Sequence, residues 1–277
     1  MMQKKPDDRR KRVFVTINGK RCQAEEGEII LSVAIREKID IPHLCYDASL
    51  DPWGACRLCM VEVLRRGRKE MTTSCTLHAE EGLEVFTDTP EILRHRNILF
   101  ELYLAEAPGS DIIKEMAARY GVTKTRFLKK IAPDDPLGRR CVLCGLCVRV
   151  CNEIMGACAI SFINRGPYTV VSTPYFDETS DCLGCGACAE VCPTDAIRIT
   201  DQNEVRIMSS WNDTRVPMAQ CNMCGKYYAP KALSAVVNAK TDPHLARELQ
   251  DLCPECRGRW IARRKFPAKS GDGARDV

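Results

Sequence analysis

Cys141-Val-Leu-Cys144-Gly-Leu-Cys147-Val-Arg-Val-Cys151 and Cys182-Leu-Gly-Cys185-Gly-Ala-Cys188-Ala-Glu-Val-Cys192-Pro193 share one spacing, C-x2-C-x2-C-x3-C. Three thiolates placed two residues apart suit three corners of an iron–sulfur cubane, and in a paired run the fourth cysteine ligates the other cluster. The expected sets are therefore Cys141, Cys144, Cys147 and Cys192 for one [4Fe–4S] cluster, and Cys182, Cys185, Cys188 and Cys151 for the other. Gly145, Gly184 and Gly186 let the backbone wrap close to the sulfides. Residues 159–162 and 196–199 read as paired short strands after each loop, an internal repeat. Asn152 stands where the second run has Pro193, which restores a backbone N–H that proline lacks.

The whole chain has eighteen cysteines in 277 residues. Such an excess marks either a secreted disulfide scaffold or a metal protein. The C-x-x-C units favour metal, and the chain is long for a disulfide-stapled minidomain. The first twelve residues offer no apolar run for a secretory leader, so a cytoplasmic location is expected. No window approaches the ~18 apolar residues of a membrane helix; the best, 98–105, is short and contains Glu101. The net charge of +4 is uneven. Basic residues crowd residues 1–12 and 257–277, leaving the body between them net negative. Such ends read as solvated arms.

Upstream, residues 13–17 alternate like a half-buried strand. Asn18-Gly19 is a two-residue hairpin signal, and residues 20–24 form the return strand. Residues 28–38 carry Ile30, Leu31, Ala34 and Ile35 on a helical stripe. Cys45, Cys56, Cys59 and Cys75 follow, three on one loop and one distant, as in a plant-type [2Fe–2S] site with a wider first gap. Gly54 and Ala55 leave room for backbone N–H groups to approach sulfide. Two rival readings are a Rieske-like centre using His43 and His78, and a structural zinc in the same four thiolates.

His43-Leu-Cys45-Tyr, Gly54-Ala-Cys56-Arg-Leu-Cys59-Met-Val-Glu-Val and Ser74-Cys75 resemble the N-terminal domain of the iron–sulfur subunit of complex I and its relatives in NAD-linked hydrogenases and formate dehydrogenases. The resemblance continues to about residue 203. It implies an α+β chain: a β-grasp [2Fe–2S] ferredoxin domain, a helical connector and a bacterial-type 2[4Fe–4S] ferredoxin domain, with a small C-terminal four-cysteine metal-binding module after them. The expected boundaries are a basic tail at 1–12, the [2Fe–2S] domain at 13–88, the connector at 89–135, the two-cluster domain at 136–203, the four-cysteine module at 204–260 and a second basic tail at 261–277. Thr89-Pro90-Glu91 and Ser110-Asp111 start the connector helices, and Gly121 ends the second. Ile92, Leu93, Ile98, Leu99, Leu102 and Tyr103 supply the apolar face of the first. The family places a histidine and three cysteines in this region for a further cluster. This chain has no cysteine between Cys75 and Cys141, so that cluster is expected to be absent and His95 to be an ordinary histidine.

Cys221, Cys224, Cys253 and Cys256 form two knuckles fit for zinc or for a further iron–sulfur cluster. Residues 244–252 between them read as a helix. Cys22 and Cys158 fit no set and read as small buried hydrophobes. No dinucleotide fingerprint, P-loop or nucleophile elbow is present in the sequence. The expected function is an electron-transfer subunit of a hetero-oligomeric oxidoreductase. Its partners would be a flavoprotein that oxidises NAD(P)H and a catalytic subunit such as a hydrogenase or formate dehydrogenase, with no nucleic acid. Two alternatives are the iron–sulfur subunit of a succinate dehydrogenase or fumarate reductase, and a nucleic-acid-binding protein with structural clusters.

Overall fold

The structure, a computed structural model, describes residues 11–65, 67–128, 135–241 and 251–265. Contacts divide it into two units. One runs through Gly156 and takes in Phe162–Val171 and Ala187–Ile197; the other holds Ala157–Ser161, Ser172–Gly186 and the described residues from Arg198 onward.

In the first unit β1 (Arg12–Ile17) and β2 (Lys20–Glu25) form the expected hairpin. Asn18 and Gly19 both take positive φ, 48° and 79°, as a tight primed turn requires. Helix α1 (Ile30–Arg36) follows, then β3 (Met60–Arg65), β4 (Arg68–Thr73) and β5 (Glu84–Phe86). The sheet order is β2-β1-β5-β3-β4, with β1 and β5 parallel and the other pairs antiparallel. Val13, Val15 and Ile17 face Ile30, Leu31, Val33 and Ala34 of α1 in one apolar core. Ile35 falls outside the expected stripe and is half exposed, because Val33 and Ala34 complete the buried face instead.

Helix α2 (Pro90–Glu106) is capped by Thr89, whose side chain accepts the Ile92 N–H at 3.3 Å. Ser110 caps α3 (Asp111–Arg119) in the same way through Ile113. Gly121 follows the end of α3 with φ of 76°. The buried line of α2 is Ile92, Arg96 and Phe100, while Leu93, Ile98 and Leu102 are partly exposed. The expected stripe was thus rotated, because a buried arginine occupies its centre. Phe100 packs on Tyr120 at 5.0 Å, and a second apolar core gathers these helices with Leu44, Leu58, Val142 and Leu146.

Short helices α4 (Leu146–Arg149) and α5 (Ala187–Glu190) follow the two cysteine loops. Strands β6 (Ser161–Ile163) and β7 (Val170–Ser172) pair with each other. The pairing of 159–162 with 196–199 is not formed. The Ala196 N–H donates to Cys192 Sγ at 3.4 Å and the Arg198 N–H to Ser210 Oγ at 2.7 Å, so neither is available to a strand partner.

The second unit is built on β8 (Thr200–Gln202), β9 (Val205–Met208), β10 (Thr214–Gln220) and β11 (Tyr227–Pro230), an antiparallel sheet in the order β11-β10-β9-β8. Helices α6 (Lys231–Lys240) and α7 (Pro254–Lys265) follow. Trp211, 1 % exposed, anchors it together with Met208 and Val216. The helix expected over 244–252 lies, through residue 250, outside the described residues, as does most of both basic tails.

Candidate metal centres

Cys45 and Cys56 lie on the irregular loop between α1 and β3, Cys59 immediately precedes β3, and Cys75 lies just past β4. The β3–β4 hairpin pairs Met60 with Thr73, and the Ser74 N–H donates to Cys59 O at 3.0 Å. The fifteen-residue gap is thereby folded back on itself. All four thiols are buried. They sort two by two, since Cys45 hydrogen-bonds with Cys56, and Cys59 with Cys75. That sharing pushes Cys45 up and Cys56 down to about 5, and likewise pushes Cys59 up and Cys75 down. His43 and His78 face the carbonyls of Ile41 and Gly27 through Nδ1, each at 2.9 Å.

The same unit holds Cys141, Cys144, Cys147 and Cys192. The Leu143 N–H donates to Cys141 Sγ at 3.3 Å. Burial pushes Cys141 up to about 12 and Cys144 up to about 11, and raises Cys147, with neighbouring thiols adding to each. A metal ion that binds a thiol held this way displaces its proton to solvent and stabilises the thiolate that burial disfavours. Cys56, Cys45 and Cys144 share one apolar cluster. Tyr103 stands among them; its hydroxyl donates to Cys56 O at 3.0 Å, and burial followed by the charges of these three cysteines pushes its pKa up. The loop before Cys56 is fastened to the turn after Cys144. Trp53 lies so close to Gly145 that an added Cβ would sit 2.2 Å from its ring, and Arg149 Nη1 donates to Asp51 O at 2.8 Å.

Of the other expected cubane set, Cys151 and Cys188 belong to the first unit and Cys182 and Cys185 to the second. Cys151 lies in a wide π turn, Val150–Ile154, and Cys188 on α5. The Gly184 N–H donates to Cys182 Sγ at 3.4 Å. Within the second unit, Arg206 forks onto Asp201 and donates to Gly184 O at 2.7 Å, tying this loop to β9.

Cys221 and Cys224 occupy the turn between β10 and β11, while Cys253 precedes α7 and Cys256 lies in its first turn. Their four sulfurs all lie within 4.8 Å of one another, and among the described residues no other His, Cys, Asp or Glu group closes so tightly. The Asn222 N–H donates to Asp251 O at 2.9 Å, and the Cys253 N–H to Cys221 Sγ at 3.3 Å, which joins the two knuckles. Burial pushes the Cys221 thiol up, but N–H groups of Cys253, Cys224 and Met223 outweigh it and bring it down to about 6. Burial and bonding to the other three thiols push Cys256 up to about 12.

Two side chains escaped the reading of the residues alone. Arg96 is buried against the first centre, and its signal was hidden because an arginine breaks the apolar stripe it belongs to. Cys158 was expected to be buried and is exposed instead, with φ of 53° on a loop that turns it outward. Cys22 is buried under α1 as expected.

Four cysteines in a mixed sheet domain and a C-x2-C-x2-C-x3-C loop on its own turn define an iron–sulfur protein of combined [2Fe–2S] and [4Fe–4S] type. Residues 10–90 match the 2Fe-2S iron-sulfur cluster binding domain, and residues 176–198 match the 4Fe-4S binding domain. The chain is 32% identical over 205 residues to an NADH-quinone oxidoreductase subunit of Rhizobium meliloti (strain 1021), covering 67% of this chain and 24% of that relative. It is 31% identical over 209 residues to NADP-reducing hydrogenase subunit HndD of Solidesulfovibrio fructosivorans, covering 66% and 35%. Among solved structures, a chain of the NAD+-reducing [NiFe]-hydrogenase in the H2-reduced state matches with a TM-score of 0.53 and 29% identity, over 66% of this chain and 85% of that one. Over the matched stretch the chain is similar to subunits of NADH-quinone oxidoreductase, of NADPH-Fe(3+) oxidoreductase and of NAD(P)-linked hydrogenases, and it carries matches to both 2Fe-2S and 4Fe-4S cluster-binding domains. It spans about a quarter to a third of the length of the curated relatives it matches. Among the described residues no helix is long and apolar enough to cross a membrane.

Proposed function

We propose that this chain relays single electrons between a flavin-bearing subunit that oxidises NAD(P)H and a catalytic subunit such as a hydrogenase or formate dehydrogenase, in a cytoplasmic hetero-oligomer. The observation that carries the reading is the shared core of the first two centres, where Cys45, Cys56 and Cys144 meet around Tyr103. Cys45, Cys56, Cys59 and Cys75 hold a [2Fe–2S] cluster; their two-by-two sorting suits two irons with two thiolates each. Cys141, Cys144, Cys147 and Cys192 hold one [4Fe–4S] cluster, and Cys182, Cys185, Cys188 and Cys151 another, as their spacing directs. Domain boundaries at 13–88, 89–135, 136–203 and 204–260 go with this assignment.

The C-terminal four hold one zinc ion. Tetrahedral zinc with Zn–S bonds of about 2.3 Å keeps its sulfurs about 3.8 Å apart. Sulfurs already within 4.8 Å fit that single ion, whereas a cubane would hold its ligands apart by the width of its whole core. When bound, the clusters supply one-electron chemistry. The chain's own residues keep the thiolates apart from water, donate N–H groups to sulfur, and fix the spacing of neighbouring centres.

The test is co-purification from the native source combined with metal analysis and electron paramagnetic resonance. The expected result is a flavoprotein partner, one zinc per chain and distinct [2Fe–2S] and [4Fe–4S] signals. A chain that purifies alone, or that oxidises NADH without a flavoprotein, would overturn the relay. About four irons in place of zinc would overturn the assignment of the C-terminal site.

A further inference from the structure

Arg96 is the one cation among the buried described residues, 2 % exposed in the middle of α2. Its neighbours on the same face, Ile92 and Phe100, are fully buried and apolar, so packing alone would favour leucine or methionine there. Instead the guanidinium reaches three main-chain carbonyls on two segments of chain. Nε donates to Leu58 O at 3.1 Å, Nη2 to Met60 O at 2.9 Å and Nη1 to Thr87 O at 2.7 Å. Leu58 and Met60 are the two residues that flank Cys59. All three acceptors are neutral, and among the described residues no carboxylate forms an ion pair with Arg96. Tyr120, its ring centroid 5.8 Å from the guanidinium, is a further neutral partner through its ring and its hydroxyl. A buried cation with no carboxylate in contact is costly even when hydrogen-bonded, and guanidinium does not relieve that cost by losing its proton; the charged groups that act on it are Cys59 and, farther off, Asp40.

We propose that Arg96 is the counter-ion and the loop clamp of the [2Fe–2S] centre, a positioning residue that raises the centre's reduction potential while fixing the backbone on both sides of Cys59. The inference rests on the cluster assignment proposed above. Four thiolates and two sulfides around two irons leave an anionic centre, and reduction adds one more negative charge. A fixed cation in a water-poor core stabilises the reduced form more than the oxidised one. The three carbonyl bonds hold that cation beside the loop and prevent it from turning toward solvent. A purely structural arginine would serve the same carbonyls but would owe nothing to the electron count.

The experiment uses the full chain with its clusters loaded, in wild-type, Arg96→Lys and Arg96→Gln forms. The [2Fe–2S] signal is followed by electron paramagnetic resonance during a redox titration. Lysine keeps the charge and loses the fork; glutamine keeps a donor and loses the charge. The expected result is that Arg96→Gln lowers the reduced-to-oxidised ratio at a fixed potential about tenfold, equivalent to about 59 mV for one electron. Arg96→Lys stays close to wild type, and the [4Fe–4S] signals serve as an unmoved internal reference. A loaded Arg96→Gln chain with the wild-type midpoint overturns the proposal, as does an Arg96→Lys shift as large as that of Arg96→Gln. Should Arg96→Gln bind no cluster, Arg96→Lys decides: loading at the wild-type midpoint upholds the charge requirement, and failure to load or a displaced midpoint overturns it. Absence of a [2Fe–2S] signal from the wild-type chain would instead count against the cluster assignment.

Discussion

In the run that begins at Cys141, Leu143 and Gly145 take φ values of 53° and 78°; in the run that begins at Cys182, Gly184 and Gly186 take 63° and 79°. Each loop then feeds a four-residue helix, and each aims the N–H two residues on at the sulfur of its first cysteine. The backbone turn is thus the same while its side chains differ. Left-handed backbone costs an L-residue roughly 1–2 kcal/mol, which glycine avoids. Leu143 bears that cost and lines, with Val142, Cys56 and Tyr103, a cleft of about 580 Å3. The three glycines share a backbone and differ in their surroundings. Gly145 is pressed by Trp53, Gly184 by Pro230 and Val216 with closest approaches of 3.1 Å, and Gly186 meets, among the described residues, nothing nearer than Ile199 at 3.6 Å. The runs also end differently. Cys151-Asn152 continues through a wide turn closed by the Met155 N–H on Val150 O, whereas Pro193 stops the second run.

These differences rank the consequences of adding one methyl group. Gly145→Ala is expected to have the largest effect, about 3 kcal/mol or more, because left-handed strain adds to a clash with an indole already packed by Phe162 and Arg149. Thermal unfolding of the loaded chain reads it, and a drop of a degree or less would mean that Trp53 is free to move aside. Gly184→Ala should cost about 2 kcal/mol, since its new methyl meets the branched Val216 side chain and a proline ring. If denaturant titration ranked it above Gly145→Ala, the Trp53 contact would be the weaker of the two. Gly186→Ala carries backbone strain alone, about 1 kcal/mol. Leu143→Gly should be smallest, within about 1 kcal/mol of wild type, because relief of strain offsets the freedom that glycine gains in the unfolded chain. A large loss there would show that the Leu143 side chain, rather than the turn, holds the loop.

The same contrast explains how much could be read in advance. The Asn18-Gly19 turn and the Thr89 and Ser110 caps are local, set by residues within four positions of one another, and the structure has them where spacing put them. The strand pairing of 159–162 with 196–199 depended on which acceptor each distant N–H would find, and sulfur and a serine hydroxyl took them. The stripe on α2 was misplaced because hydrophobic periodicity has no means of registering a buried arginine that three main-chain carbonyls solvate.

By itself the sequence determined which cysteines form which runs, because ligand spacing is a property of neighbouring residues and is written in the chain. It also determined the combined [2Fe–2S] and [4Fe–4S] class, which the matched domains bear out. Only the tertiary structure decided that four C-terminal sulfurs close to within 4.8 Å, that Trp53 fills the space above Gly145, and that Arg96 sits beside Cys59. Each of those facts joins residues dozens of positions apart. Their distance is fixed by how sheets and helices pack, a quantity that no local spacing contains.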